Sequence, residues 1–290
     1  MGTETMAPQT TAELIMPVET PAPAGAISGK ARRGFTGTQL KMIAIIVMLI
    51  DHIAAIPLST CMGIFQSVGF TLMVTLMRCI GRMGFPIFCF LLVEGFLHTS
   101  DVKRYAMRLA AFALVSEVAF DFALNSAWLE FTYQNVFFTL LLGLLAIWSI
   151  RSFEGKWWLQ LLAVAACIAM AELFKTDYAG MGVVTIVLFY VLRNHRTAMF
   201  WAVGVWLWAG LAITSAVQLL QMGVFPLYLT VISAAMSGVM EALGAFSFLF
   251  IGRYNGERGA GLPKYFFYAF YPAHLLILGL INQLILHFAL

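Results

Sequence analysis

Charge is what this sequence has least of. Only 11% of its 290 residues are Asp, Glu, Lys or Arg, against 61% hydrophobic residues, and a mean hydropathy of +0.89 excludes an ordinary soluble globule. The net charge of +3 is small and scattered, so there is no electrostatic footprint for a nucleic-acid partner. Cysteine is scarce too. Cys61, Cys79, Cys89 and Cys167 lie in or beside apolar runs without ligand-like spacing, which reads as small buried hydrophobes and implies neither a metal nor a disulfide framework. The hydrophobic runs lack the alternation of a β-barrel, and there is no long internal repeat or separate soluble domain. What remains is an all-α, polytopic transmembrane helical bundle of about nine to ten spans whose surroundings are the lipid bilayer.

Residues 1–29 are rich in Thr, Pro, Ala and Glu, have no periodicity and no signal-peptide core, and read as a disordered tail. Residues 30–290 read as one transmembrane domain. The basic cluster Lys30, Arg32, Arg33 and Lys41 precedes the first span, which by the positive-inside rule makes the tail cytoplasmic. Further apolar runs fall near 63–77, 83–98, 105–124, 135–150, 157–174, 180–192, 198–221, 225–251 and 265–289. If both 63–77 and 83–98 crossed separately, the basic loops that follow would all lie outside. If one crosses, they become cytoplasmic. The better fit to the charge rule has 63–77 crossing while the Pro-broken 83–98 dips in and returns, which leaves Arg78 and Arg82 cytoplasmic.

Several polar groups stand where lipid depth makes them expensive. The first span, Gln39 to Ile56, carries Asp51 and His52, which differ in direction by about 100° and so each need a partner on another helix. Arg78 and Arg82 share a helix face and can grip a phosphate, or alternatively pair with Asp51 or reach for headgroups. Glu94 lies within its run. Glu117 and Asp121 also share a face, which calls for a cation between them. Arg104 and Arg108 on the same helix suggest an ion-pair cluster, and recognition of an amine substrate is the functional alternative. The loop Arg253 to Gly259 is Gly-rich and basic, so its amides can turn toward an anion or simply form a turn. In the last span Pro272 is followed by His274, a second intramembrane histidine that can meet the first in one cavity. Asn135 and Tyr271 are plausible polar liners.

Six segments taken together resemble the TraX family: LKMIAIIVMLIDHIAAI, RMGFPIFCFLLVEGF, NVFFTLLLGLL, DYAGMGV, YNGERG and KYFFYAFYPAHLLIL. The likeness covers about residues 38–285 in order, and the histidine with Arg78, Arg82 and Pro86 also looks like the wider superfamily of integral-membrane acyltransferases. The type member N-acetylates F-pilin at the bacterial inner membrane. The resemblance therefore implies acetyl-coenzyme A, taken from the cytoplasm, as donor and a pilin-like peptide or an envelope glycan as acceptor. On that footing His52 is the expected base, Asp51 an orienting or ion-paired group, and His274 a second acid/base or oxyanion donor. Arg78 and Arg82, supported by Arg253, Arg258 and Lys264, are expected to hold the coenzyme A phosphates. Glu94, Glu117, Asp121, Asn135 and Tyr271 are expected to line the acceptor side, with no metal. The same buried charges also suit a transporter with a proton relay, or an assembly scaffold in which they are only ion pairs.

Overall fold

The computed structural model describes residues 33–130, 132–222, 227–261, 263 and 265–289. The tail, its basic cluster up to Arg32, and Lys264 lie outside these residues. Residues 34–290 form one compact unit. Its helices are α1 (Gly37–Ile53), α2 (Ser59–Phe65), α3 (Val68–Gly81), α4 (Gly84–His98), α5 (Val102–Asn125), α6 (Val136–Ser152), α7 (Trp157–Leu173), α8 (Ala179–Val191), α9 (Arg196–Met222), α10 (Leu227–Ala242), α11 (Phe248–Ile251) and α12 (Phe266–Ala289). A π-helical turn, Ala54–Leu58, joins α1 to α2, and a 3-10 turn, Leu243–Ser247, joins α10 to α11.

Five stretches among the described residues are long and apolar enough to cross a membrane: Gly37–Phe65, Val68–His98, Arg196–Met222, Leu227–Ile251 and Phe266–Ala289. Val102–Asn125 is as long but carries Arg108, Glu117 and Asp121, and α6, α7 and α8 are apolar but shorter. The dipping helix expected at 83–98 is corrected here. α3 and α4 run on as one 31-residue span, interrupted by a turn at Arg82 and Met83. The reason is the position of Pro86. It stands third in α4, in the first turn, where a missing N–H and a fixed φ interrupt nothing.

Local sequence sets the ends of these helices. Thr36 and Gln39 form a reciprocal capping box that starts α1, Asp101 caps α5 through the Arg104 amide, and Asn135 caps α6 through the Phe137 amide. Left-handed residues stop α2 at Gln66 and α5 at Ser126. The α1–α2 rod packs along α3–α4, and α4 lies between α1 and α8. Phe96, Ile87, Leu40, Ile147, Ile186, Phe189 and Leu275 fill the centre. Because lipid is as apolar as a side chain, packing rests on close fit, and glycine allows it. A Cβ on Gly81 would sit 2.2 Å from the Asp51 carboxylate, and one on Gly238 would sit 2.5 Å from the Trp208 carbonyl.

Backbone bonds tie each end together. At one, Phe35 donates to the Arg253 carbonyl (2.8 Å), Asn255 to Phe35 (3.0 Å), Gly37 to Glu257 (2.8 Å) and Thr38 to Arg258 (3.0 Å). At the other, Gln134 donates to Lys175 (3.1 Å) and Asp177 to Gln134 (2.8 Å).

Candidate functional site

α1 delivers Asp51 and His52 to the middle of the bundle, about 20 Å of helix rise beyond its capped start. Their side chains diverge to different helices. Asp51 accepts a charge-assisted hydrogen bond from Arg78 on α3, and its second oxygen, pressed against Gly81, has no partner. His52 meets His274 of α12, with Nδ1 and Nε2 2.7 Å apart and ring centroids 4.9 Å apart.

The tautomers follow from what each atom can do. Nδ1 of His274 is 2.8 Å from the Phe270 carbonyl, which only accepts, so that nitrogen carries the hydrogen. In the neutral ring Nε2 is then an acceptor, and Nδ1 of His52 donates to it. The lone pair of His52 is thereby left on Nε2, which makes no hydrogen bond among the described residues. Both nitrogens of His274 are engaged, so in this arrangement it orients His52 and has no N–H left for a substrate oxyanion.

The arginines are held in the same core. Arg82 places Nη1 3.3 Å from Glu241 Oε2 and 3.4 Å from the Tyr178 hydroxyl, while Arg78 is taken by Asp51. Tyr178 stacks flat on Phe85 at 3.7 Å. It belongs to a loop that folds inward because α8, at 13 residues, spans only about 20 Å and starts well inside the bundle. That loop is strained: Lys175, Tyr178 and Ala179 have φ of 48°, 64° and 41°. Asp177 in the loop accepts from the Tyr133 hydroxyl at 2.7 Å, and burial pushes its carboxyl above the usual range against that bond. Asp177, Tyr178, Tyr133 and Glu241 were not singled out as site residues from sequence. The signal was present for two of them, since Asp177 and Tyr178 open the DYAGMGV segment.

The ion-pair cluster expected around Glu117 and Asp121 is corrected. Both carboxylates are buried, at 5% and 0% exposure, and no ion pair among the described residues includes them. Arg108 is nine residues away along α5, about 13 Å of rise, and lies over the Tyr105 ring instead, while Arg104 pairs with Asp101. Glu117 accepts from the backbone and side-chain amides of Asn135, and Asp121 accepts from the Glu130 amide at 2.7 Å. One oxygen of each is left without a partner. Tyr271 stands edge-on to His52, centroids 6.1 Å apart, with its hydroxyl buried and its O–H without an acceptor among the described residues.

The remaining candidates fall elsewhere. Arg253 and Arg258 lie exposed in the loop clamped to residues 35–38, some 20 Å of α1 away from His52, so they do not join Arg78 and Arg82 in one cluster. The loop offers the carbonyls of Glu257 and Arg258 to the first turn of α1, and of the two expected forms it takes that of a turn. Glu94 is bound by the Tyr254 hydroxyl at the same end; burial and the Glu94 carboxylate push that phenol up to about 12. It is therefore not beside the histidines.

Two of the helices that carry this centre are modified near it: Pro57 and Pro272 lack the amide that would bond the carbonyls of Ile53 and Tyr268. The π-helical turn directly after His52 is of a kind that recurs at functional sites.

No solved structure matches the chain significantly. A curated relative, the probable fimbrial assembly protein FimC of serogroup H1 from Dichelobacter nodosus, is 32% identical over 257 residues, covering 84% of this chain and 94% of the relative. The family described as TraX protein matches residues 36–282, a region that takes in the paired histidines, both carboxylate-paired arginines and the inward loop, and the chain belongs to that family.

Proposed function

We propose that this protein is an integral-membrane acetyltransferase that moves an acetyl group from acetyl-coenzyme A to an amine or hydroxyl, with a pilin-like peptide as the acceptor that family and fimbrial relative both favour. The observation that carries the reading is the oriented histidine pair, in which His274 holds His52 with a bare Nε2 at mid-depth. A base in that state accepts a proton from the acceptor as its nitrogen or oxygen attacks the thioester carbon. The carbonyl π electrons move to oxygen. When they return, the carbon–sulfur bond breaks, sulfur leaves with the pair and takes the proton from His52, and the products are the acetylated acceptor and coenzyme A.

The donor's length suits the arrangement. Its arm between phosphate and sulfur holds about as many backbone bonds as four extended residues, roughly 14 Å. With the phosphates near Arg253 and Arg258, the arm, the pyrophosphate and an arginine side chain together cover the about 20 Å to His52. Arg78 and Arg82, engaged by carboxylates, then shape the centre and do not carry phosphate. The basic end is cytoplasmic by the charge rule, which puts it on the side of the donor, in the inner membrane of a bacterium.

The test is to incubate purified protein with labelled acetyl-coenzyme A and a membrane or periplasmic extract and to identify the labelled product by mass spectrometry. Transfer that needs His52 is expected. A His52→Ala protein that accumulates normally and transfers at the wild-type rate would remove the base.

A further inference from the structure

Acyl transfer places negative charge on the carbonyl oxygen, and His274, with both nitrogens engaged, has nothing to offer it. We propose that the Tyr271 hydroxyl, set at the N-terminus of α6 beside the histidine pair, is the oxyanion donor; this rests on the acetyltransferase reading above. Tyr271 is 3% exposed, and its O–H finds no acceptor among the described residues, which is costly for a hydroxyl in a membrane interior and marks a partner still to come. Its ring is fixed by edge-on contacts with His52 (6.1 Å), His274 (5.6 Å) and Phe137 (5.1 Å), so the hydroxyl has little freedom to turn away.

The second observation is the helix it faces. The backbone amide of Val136, first residue of the 17-residue α6, lies beside the phenol oxygen. Asn135 consumes the neighbouring amide, taking Phe137 N–H with its side chain, while its own side-chain amide is held by Glu117 and the Ala113 carbonyl. The positive end of α6 is therefore directed at the phenol oxygen and polarises the O–H outward, toward whatever carbonyl lies between Tyr271 and Nε2 of His52. Base and donor come from α1 and α12 with their ring centroids 6.1 Å apart, close enough for one thioester carbonyl to meet both.

The experiment uses the full chain in nanodiscs, [1-13C]acetyl-coenzyme A as donor, hydroxylamine as a small acceptor, and difference infrared spectroscopy of the bound thioester carbonyl. In the wild type the carbonyl band shifts to lower frequency than in solution. Tyr271→Phe loses that shift and lowers kcat about 100-fold with KM for the donor unchanged, the size expected for one lost oxyanion donor. A Tyr271→Phe protein that keeps the shift, or a rate within a few-fold of wild type, overturns the proposal. His52→Ala separates the two ideas. Lost turnover with the shift retained supports both. Retained turnover, with the shift still abolished by Tyr271→Phe, removes the base and leaves the donor standing. Bound donor with no shift in the wild type overturns the donor whatever the rates.

Discussion

At the end of the bundle where Phe35 meets Tyr254, cations stand exposed: Lys103, Arg104, Arg151, Lys156, Arg196, Arg253 and Arg258, with Arg104–Asp101 the salt bridge formed there between surface groups. At the end where Gln134 meets Thr176 the charges are reversed and several are buried, with Glu117 and Asp121 inside the protein, Asp177 tied to Tyr133, and Lys175 the nearby cation. The first end can bind and release an anion cheaply, since its arginines are tied mainly to single backbone carbonyls, as Arg253 is to Leu249 and Arg196 to Gly252, and water screens what is left. The second holds its charge through backbone and amide donors at fixed positions, so it can read a ligand's shape but pays for any group removed. His52 lies between them, and the donor and acceptor of the proposed reaction, one rich in phosphate and one bearing an amine, would each have an end suited to them.

This contrast can be broken most severely at its midpoint. His52→Ala is expected to lower acetyl transfer 100- to 10,000-fold with normal membrane accumulation, measured by product mass spectrometry. Arg78→Ala leaves Asp51 charged and unpaired, and should destabilise the protein by about 3 kcal/mol, read as a lower melting temperature in detergent. Arg78→Ala with Asp51→Asn together should recover much of that loss, whereas a lack of recovery would show that the pair does not act as a unit.

The two ends should then respond differently. Asn135→Ala, at the buried acidic end, strips Glu117 of a donor and caps α6 no longer, with an expected cost of about 2 kcal/mol in melting experiments. Arg253→Ala with Arg258→Ala, at the exposed end, should leave stability within about 0.5 kcal/mol. They should raise KM for acetyl-coenzyme A several-fold in a manner that weakens as salt is added. Equal salt sensitivity at both ends would erase the distinction.

How far the sequence carries can be judged from particular residues. Helical class and the family were legible because apolar runs and six ordered segments are local signals. The convergence of His52 and His274 was also within reach, since a histidine inside lipid has few places to go except to another polar group. The union of α3 and α4 was not, because a proline reads as a break unless its place within the turn is known. Nor was the failure of Arg108 to neutralise Glu117 and Asp121: side-chain type suggests a pair, but nine residues along a helix separates them. Asp177 and Tyr178 escaped for a different reason. They sit between helices, where a loop would ordinarily be at the surface, and only the shortness of α8 carries them inward.

The wide turn at Ala54–Leu58 has a consequence for the outer half of the first span. One residue more per turn there offsets the angular register between Ile53 and Ser59, and it is this offset that aims Thr60 at Asn282 (2.7 Å) while His52 stays on His274. Deleting a single residue from the turn would swing everything beyond it through roughly 100°, detaching Thr60 from Asn282 while the inward half kept its alignment. The segment works as a swivel, setting the direction of the α2 tip independently of the His52 imidazole.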